Sequence, residues 1–112
     1  MLDSKVMALT CGFTVANEAA AHNIGGIFCG DLLSWAMGKV SEGDVWCTVM
    51  GNINTIAVAS LTDCACVVLC HGAVLMEDAL SKAQEQGINV YLTELAEFEA
   101  SRLINDVLQV ED

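Results

Sequence analysis

The chain has 112 residues, 54% of them hydrophobic and 17% charged, a balance that suits one globular core and excludes a disordered polymer. Its net charge of −11 excludes a nucleic-acid partner, because phosphate backbones are held by clustered bases and only Lys5, Lys39, Lys82 and Arg102 are present, scattered. Proline is absent, no apolar run approaches the ~20 residues of a membrane span, and MLDSKVMALTCG is too short in apolar residues for a secretory signal, so a cytoplasmic protein with no membrane partner is expected.

From the start of the chain, Lys5–Cys11 (KVMALTC) is apolar and rich in strand formers, which predicts a first strand. The alanine-rich stretch Thr14–His22 predicts a helix. A Gly25-Gly26 turn follows, then Asp31 as N-cap of a helix over Leu32–Met37, with Gly38 as its stop. Asp44–Met50 alternates as a strand, with Val45, Cys47 and Val49 on one face and Trp46, Thr48 and Met50 on the other. GNINTIAVASLTD tolerates a strand reading. The spacing of Ile53, Ile56, Ala57 and Leu61, with Asn52 or Asn54 as cap, favours a helix.

Cys64–Cys70 (CACVVLC) is a continuous apolar run, as in a strand buried on both faces. Met76, Ala79, Leu80 and Ala83 make the helical stripe of Leu75–Gln86, which Gly87 ends. Ile88–Leu92 is the last strand, and Thr93 caps a helix to about Val107 whose inner face is Ala96, Ala100, Leu103 and Val107. Phe98 falls on the polar face of that helix, either lying under a loop or contacting a ligand or second subunit. The order implies an α/β layered domain, a mostly parallel sheet with flanking helices.

The search for chemistry starts at HNIGGIFCGDLLSWAMG, where glycines precede a helix as in anion-binding loops. The spacing G-G-x-x-x-G is not the dinucleotide fingerprint, and Asp31 would itself occupy the positive helix end. Turn geometry and ligand contact both stay open for these glycines. No G-x-x-x-x-G-K-[ST], G-x-S-x-G or H-E-x-x-H occurs, and only His22 and His71 could shuttle protons at neutral pH. A kinase is thereby excluded, and no catalytic residue is assigned.

Six cysteines, Cys11, Cys29, Cys47, Cys64, Cys66 and Cys70, come without a C-x-x-C pair. Reduced, buried thiols acting as small hydrophobes account for most of them, and no metal is expected. The alternative is a redox or iron–sulfur accessory protein using Cys29 with Cys64, Cys66 and Cys70, which share strand parity. Cys29, ahead of a helix start, is the candidate reactive thiol. In a parallel sheet, ligands bind where strands hand over to helices. The candidate ligand-binding residues are therefore Gly25, Gly26 and Asn52, followed by Asn54 and His71, as groups that hydrogen-bond a ligand without breaking bonds in it.

GGIFCGDLLSWAMGKVSEGDVWCTV, GNINTIAVASLTDCACVVL and EDALSKAQEQGINVYLTELAEFEASRLI together resemble the DRTGG domain family, from about His22 to Ile104. The resemblance makes residues 1–112 one DRTGG-like domain, similar to the N-terminal domain of HPr kinase/phosphorylase and to the module appended in phosphotransacetylases and some CBS-domain pyrophosphatases. His22-Asn23-Ile24-Gly25-Gly26 stands in place of the naming motif, keeping its glycines only. The resemblance implies a regulatory or ligand-sensing module, usually homodimeric, with an adenine-nucleotide type of ligand in some multidomain relatives. It also implies a protein partner of the kind found with iron-only hydrogenase systems in anaerobes. A purely structural interaction domain, using Phe98 and the Leu32–Met37 helix, is the third reading.

Overall fold

The computed structural model describes residues 2–111, with side chains for residues 2–110. The elements in order are α1 (Ser4–Cys11), β1 (Thr14–Asn17), β2 (Gly26–Cys29), α2 (Leu33–Lys39), β3 (Asp44–Thr48), α3 (Ile53–Thr62), β4 (Cys66–Leu69), α4 (Glu77–Gln86), β5 (Val90–Leu92) and α5 (Glu97–Glu111). The strands form one sheet in the order β1-β5-β4-β3-β2. β2 to β5 run parallel, and β1 closes one margin antiparallel to β5. The expected α/β layered architecture is therefore present. No described helix is long and apolar enough to cross a membrane.

Alternation along the central strands splits the interior in two. Val45, Cys47, Cys66, Val68 and Tyr91 face Met7 and Ala8 of α1 and Ala100 and Ile104 of α5. Trp46, Val67, Leu69 and Val90 face Ala36 of α2, Ile56 and Ala59 of α3, and Ala79 and Ala83 of α4. The side chains of β4 are all buried, as a parallel strand covered on both faces requires. Trp46, fully buried, donates its Nε1–H to the Gly30 carbonyl at 3.0 Å, so its one polar atom is satisfied.

Several local expectations are corrected. Lys5–Cys11 is helical, because Asp3 caps Val6 N–H at 2.9 Å and Gly12 ends the turn at φ 74, burying Ser4, Met7 and Ala8 at helical spacing. Thr14–His22 is an extended segment rather than a helix. Buried Asn89 accepts from Ala19 N–H and donates to Ala20 O, and Asn17 donates to Ile88 O, pinning that segment beside β5. Asp31 does not cap α2, whose N-cap is Leu32 without a side-chain bond, and Gly38 lies inside α2 rather than ending it. Asn52 does cap α3, accepting from Thr55 N–H at 3.0 Å. The buried face of α3 is Thr55, Ile56, Val58 and Ala59, leaving Ile53 and Leu61 exposed.

Glycine is required at one of these joints. A Cβ on Gly51 would collide with the Val74 backbone, whereas one on Gly38 would meet open space. Gly51→Ala should destabilise by about 1–3 kcal/mol through forced backbone movement. Gly38→Ala, in an exposed helix, should stabilise by roughly 0.5–1 kcal/mol. Urea unfolding of the two variants checks both signs, and equal midpoints would refute the close approach at Gly51.

Candidate functional site

Four parallel strands bring their carboxyl ends, at Cys29, Thr48, Leu69 and Leu92, to one edge of the sheet. From there β2, β3 and β4 hand the chain to helices on one face, while β5 hands it to α5 on the other. The change of face falls between β4 and β5, and the carboxyl edge is the usual seat of a ligand in α/β sheets.

Asp31, just after β2, reaches across to β3. Its Oδ1 accepts from Thr48 Oγ1 at 2.7 Å and from Val49 N–H at 2.9 Å. Partial burial works against its charge. The bonds from Thr48, Val49 and Glu97, with His71 nearby, nevertheless hold this carboxyl below its ordinary value. Glu97, in the first turn of α5, is the opposite case. Burial, a hydrogen bond to Asp31 and that carboxylate's charge push it up to about 7. One carboxyl thus stays ionised while its neighbour keeps a proton near neutrality.

Cys29 stands exposed in register with buried Cys47 on β3. Its thiol is lowered to about 6, chiefly by Cys47 and to a smaller extent by the nearby Ser101 hydroxyl, against burial and the charge of Asp31. Cys47, between Cys29 and Cys70, is pushed up by its hydrogen bonds with both and by burial. On the outer side a cleft of about 390 Å³ runs along Phe28, Cys29, Gly30, Asp31, Leu32 and Trp35. Trp35 and Leu32 are exposed there.

The residues singled out from sequence are distributed between two edges. His71 follows β4 at the carboxyl edge with φ 59, its N–H bonded to Leu95 O. Asn52 and Asn54 lie at the start of α3 on the same edge, Asn52 committed to its cap and Asn54 exposed. Gly25 and Gly26 begin β2 at the amino edge, where Gly25 N–H bonds Gly43 O, so they stand a strand's length from the other three. The alternative metal set is not brought together. Cys66 and Cys70 face α1 and α5, Cys64 faces α2–α4, and Cys29 is exposed on β2. Cys64 therefore lacks the shared parity read for it, because it precedes the regular strand. Cys29 does precede α2, but its thiol is lowered chiefly by its neighbour Cys47 rather than by the helix start. Thr48, Glu97 and Ser101 were missed. Their proximity depends on strand order and on α5 crossing to the far face, which no local pattern encodes.

No family model matches the sequence, and no curated protein matches it. Among solved structures, the chain is similar to the CBS and DRTGG domains of the regulatory region of a Clostridium perfringens pyrophosphatase, complexed with its activator diadenosine tetraphosphate. The TM-score is 0.68 at 19% identity, over 88% of this chain and 44% of that one. The likeness is one of fold. This chain spans less than half of that regulatory region, whose own activator is a dinucleoside polyphosphate.

The carboxyl pair makes a pH prediction. Glu97 keeps its proton to about 7 in the fold against an ordinary 4.5, so the folded state binds more protons between those values. Stability contributed at this site falls as pH rises through that window. Glu97→Gln should flatten the loss between pH 5 and 7 in urea unfolding, and an unchanged slope would refute the shared proton.

Proposed function

We propose that the chain is a non-catalytic, ligand-sensing regulatory module that binds an adenine nucleotide at the carboxyl edge of its sheet. The observation that carries this reading is the cleft at the end of β2, lined by Phe28, Cys29, Gly30, Asp31, Leu32 and Trp35. Trp35 offers a free face on which a base can stack, and a protonated Glu97 beside an ionised Asp31 offers donor and acceptor side by side. His71 and Asn54 are exposed on the same edge of the sheet, after β4 and at the start of α3. Phosphates would point outward, since this edge is acidic and Lys39, one turn beyond Trp35 on α2, is the cation on that side. The fold shared with a nucleotide-activated regulatory region supports the same class of ligand.

The module works as a homodimer in this reading. β2 is a sheet margin without a strand beyond it, and Leu32, Trp35 and Met37 beside it are exposed. Thermal shift with AMP, ATP and diadenosine tetraphosphate should raise the melting temperature with at least one of them, and Trp35→Ala should abolish the rise. No shift with any of the three would overturn the ligand reading, and a monomer mass by light scattering would overturn the dimer.

A redox role is the second reading, favoured by exposed Cys29, whose thiol is lowered chiefly by its neighbour Cys47. Iodoacetamide should alkylate Cys29 with a rate that reaches half its plateau near pH 6, and Ser101→Ala should move that midpoint upward. A midpoint above pH 8 in the unaltered protein would remove the support.

A further inference from the structure

At the opposite, amino edge of the sheet three connections converge on a second constellation. His22 comes from the β1–β2 connection, Glu42 from the turn before β3, and Asp63 from the C-cap of α3. One ligand-type atom from each lies within 4.8 Å of the others. His22 Nε2 is 3.7 Å from Asp63 Oδ1 and 3.9 Å from Glu42 Oε2. Among the described residues this is the group of three His, Cys, Asp or Glu side chains with such convergence.

The imidazole is turned for ligation. Its Nδ1 lies 2.7 Å from the Asn23 carbonyl, and a carbonyl can only accept, so Nδ1 carries the hydrogen. In the neutral ring the lone pair is then on Nε2, facing both carboxylates. A backbone carbonyl behind Nδ1 is the usual support of a metal-bound histidine.

The three backbones are also fixed relative to one another. His22 N–H donates to Ser4 Oγ at 3.0 Å and its carbonyl accepts from Ser4 N–H at 2.9 Å. Gly25 N–H bonds Gly43 O at 2.8 Å, and Gly43 N–H bonds Asp63 O at 3.0 Å, which ties the Glu42 turn between its two neighbours. Gly43 sits at φ 83 against Asn23 and Gly25, so the approach is close. Ligands bound at ~2.0–2.1 Å in a tetrahedron stand roughly 3.3 Å apart, so atoms that lie within 4.8 Å of one another close by a contraction of up to about 1.5 Å, which rotation of the two exposed carboxylates supplies.

We propose that His22, Glu42 and Asp63 form a binding site for a divalent transition-metal ion of the zinc class, with water completing the shell. One imidazole nitrogen and two carboxylate oxygens match the borderline preference of such ions and neutralise the two positive charges. The half-buried histidine supplies the anchor, and the exposed carboxylates close over the ion from either side. This site is independent of the nucleotide reading, at the far end of the strands.

The test uses the full chain carrying Cys29→Ser, which removes the exposed thiol as a competing ligand. Titration with cobalt(II) should give one-to-one binding, with d–d absorption and no thiolate-to-metal band. His22→Gln and Asp63→Asn should each weaken it by about tenfold or more, and zinc should displace the cobalt. Circular dichroism confirms that each variant is folded, and Glu42→Gln serves in place of any that is not. Absence of cobalt binding, binding that survives both substitutions, or a thiolate band would each overturn the site. Cobalt-independent loss of stability alone would mark the cluster as an ion pair and overturn it equally.

Discussion

β3 and β4 carry side chains that must be buried on both faces of the sheet, and nearly everything else follows from covering them. A single helical layer would leave Cys47, Cys66 and Val68, or else Trp46, Val67 and Leu69, in water. The chain meets this demand with α2, α3 and α4 on one side and α1 with α5 on the other. That division forces the last connection to cross to the other face, where α5 packs over β2 and β3 and brings Glu97 to Asp31. The site is in this sense a by-product of burial.

The sequence showed clearly what depends on near neighbours. The alternation of Val45, Trp46 and Cys47, the Asn52 cap and the Gly87 stop all act within a few residues and are found where they were read. The first third misled because its structure is decided from a distance. Asn89 dictates the path of Ala19 and Ala20 from 70 and 69 positions away, and nothing in an alanine-rich stretch announces that. Asp31 looked like a cap because caps are local. Its actual partners, Thr48 and Val49, lie on another strand.

The same separation governs the two candidate sites. Cys29, Asp31 and Glu97 meet only because β2 stands beside β3 and α5 returns over it. His22, Glu42 and Asp63 meet because three turns stack at the other edge. An acidic chain of this kind holds its charge in two different ways. Asp31 is stabilised by three donors and behaves as a strut, whereas Glu97, lacking such donors, yields its charge instead.

The order in which the sheet is filled bears on how the protein is made. β1 lies against β5, and α1 packs with α5, so the first two elements of this domain find partners in its last two. Before those two are in place Met7, Ala8 and Phe13 have only part of their apolar surroundings, the Val45, Cys47, Cys66 and Val68 face of β3 and β4, while β2, β3 and β4 can already pair with their neighbours in turn. The central layer is thus free to assemble progressively, and β1, whose strand partner is β5, is paired only once β5 is in place.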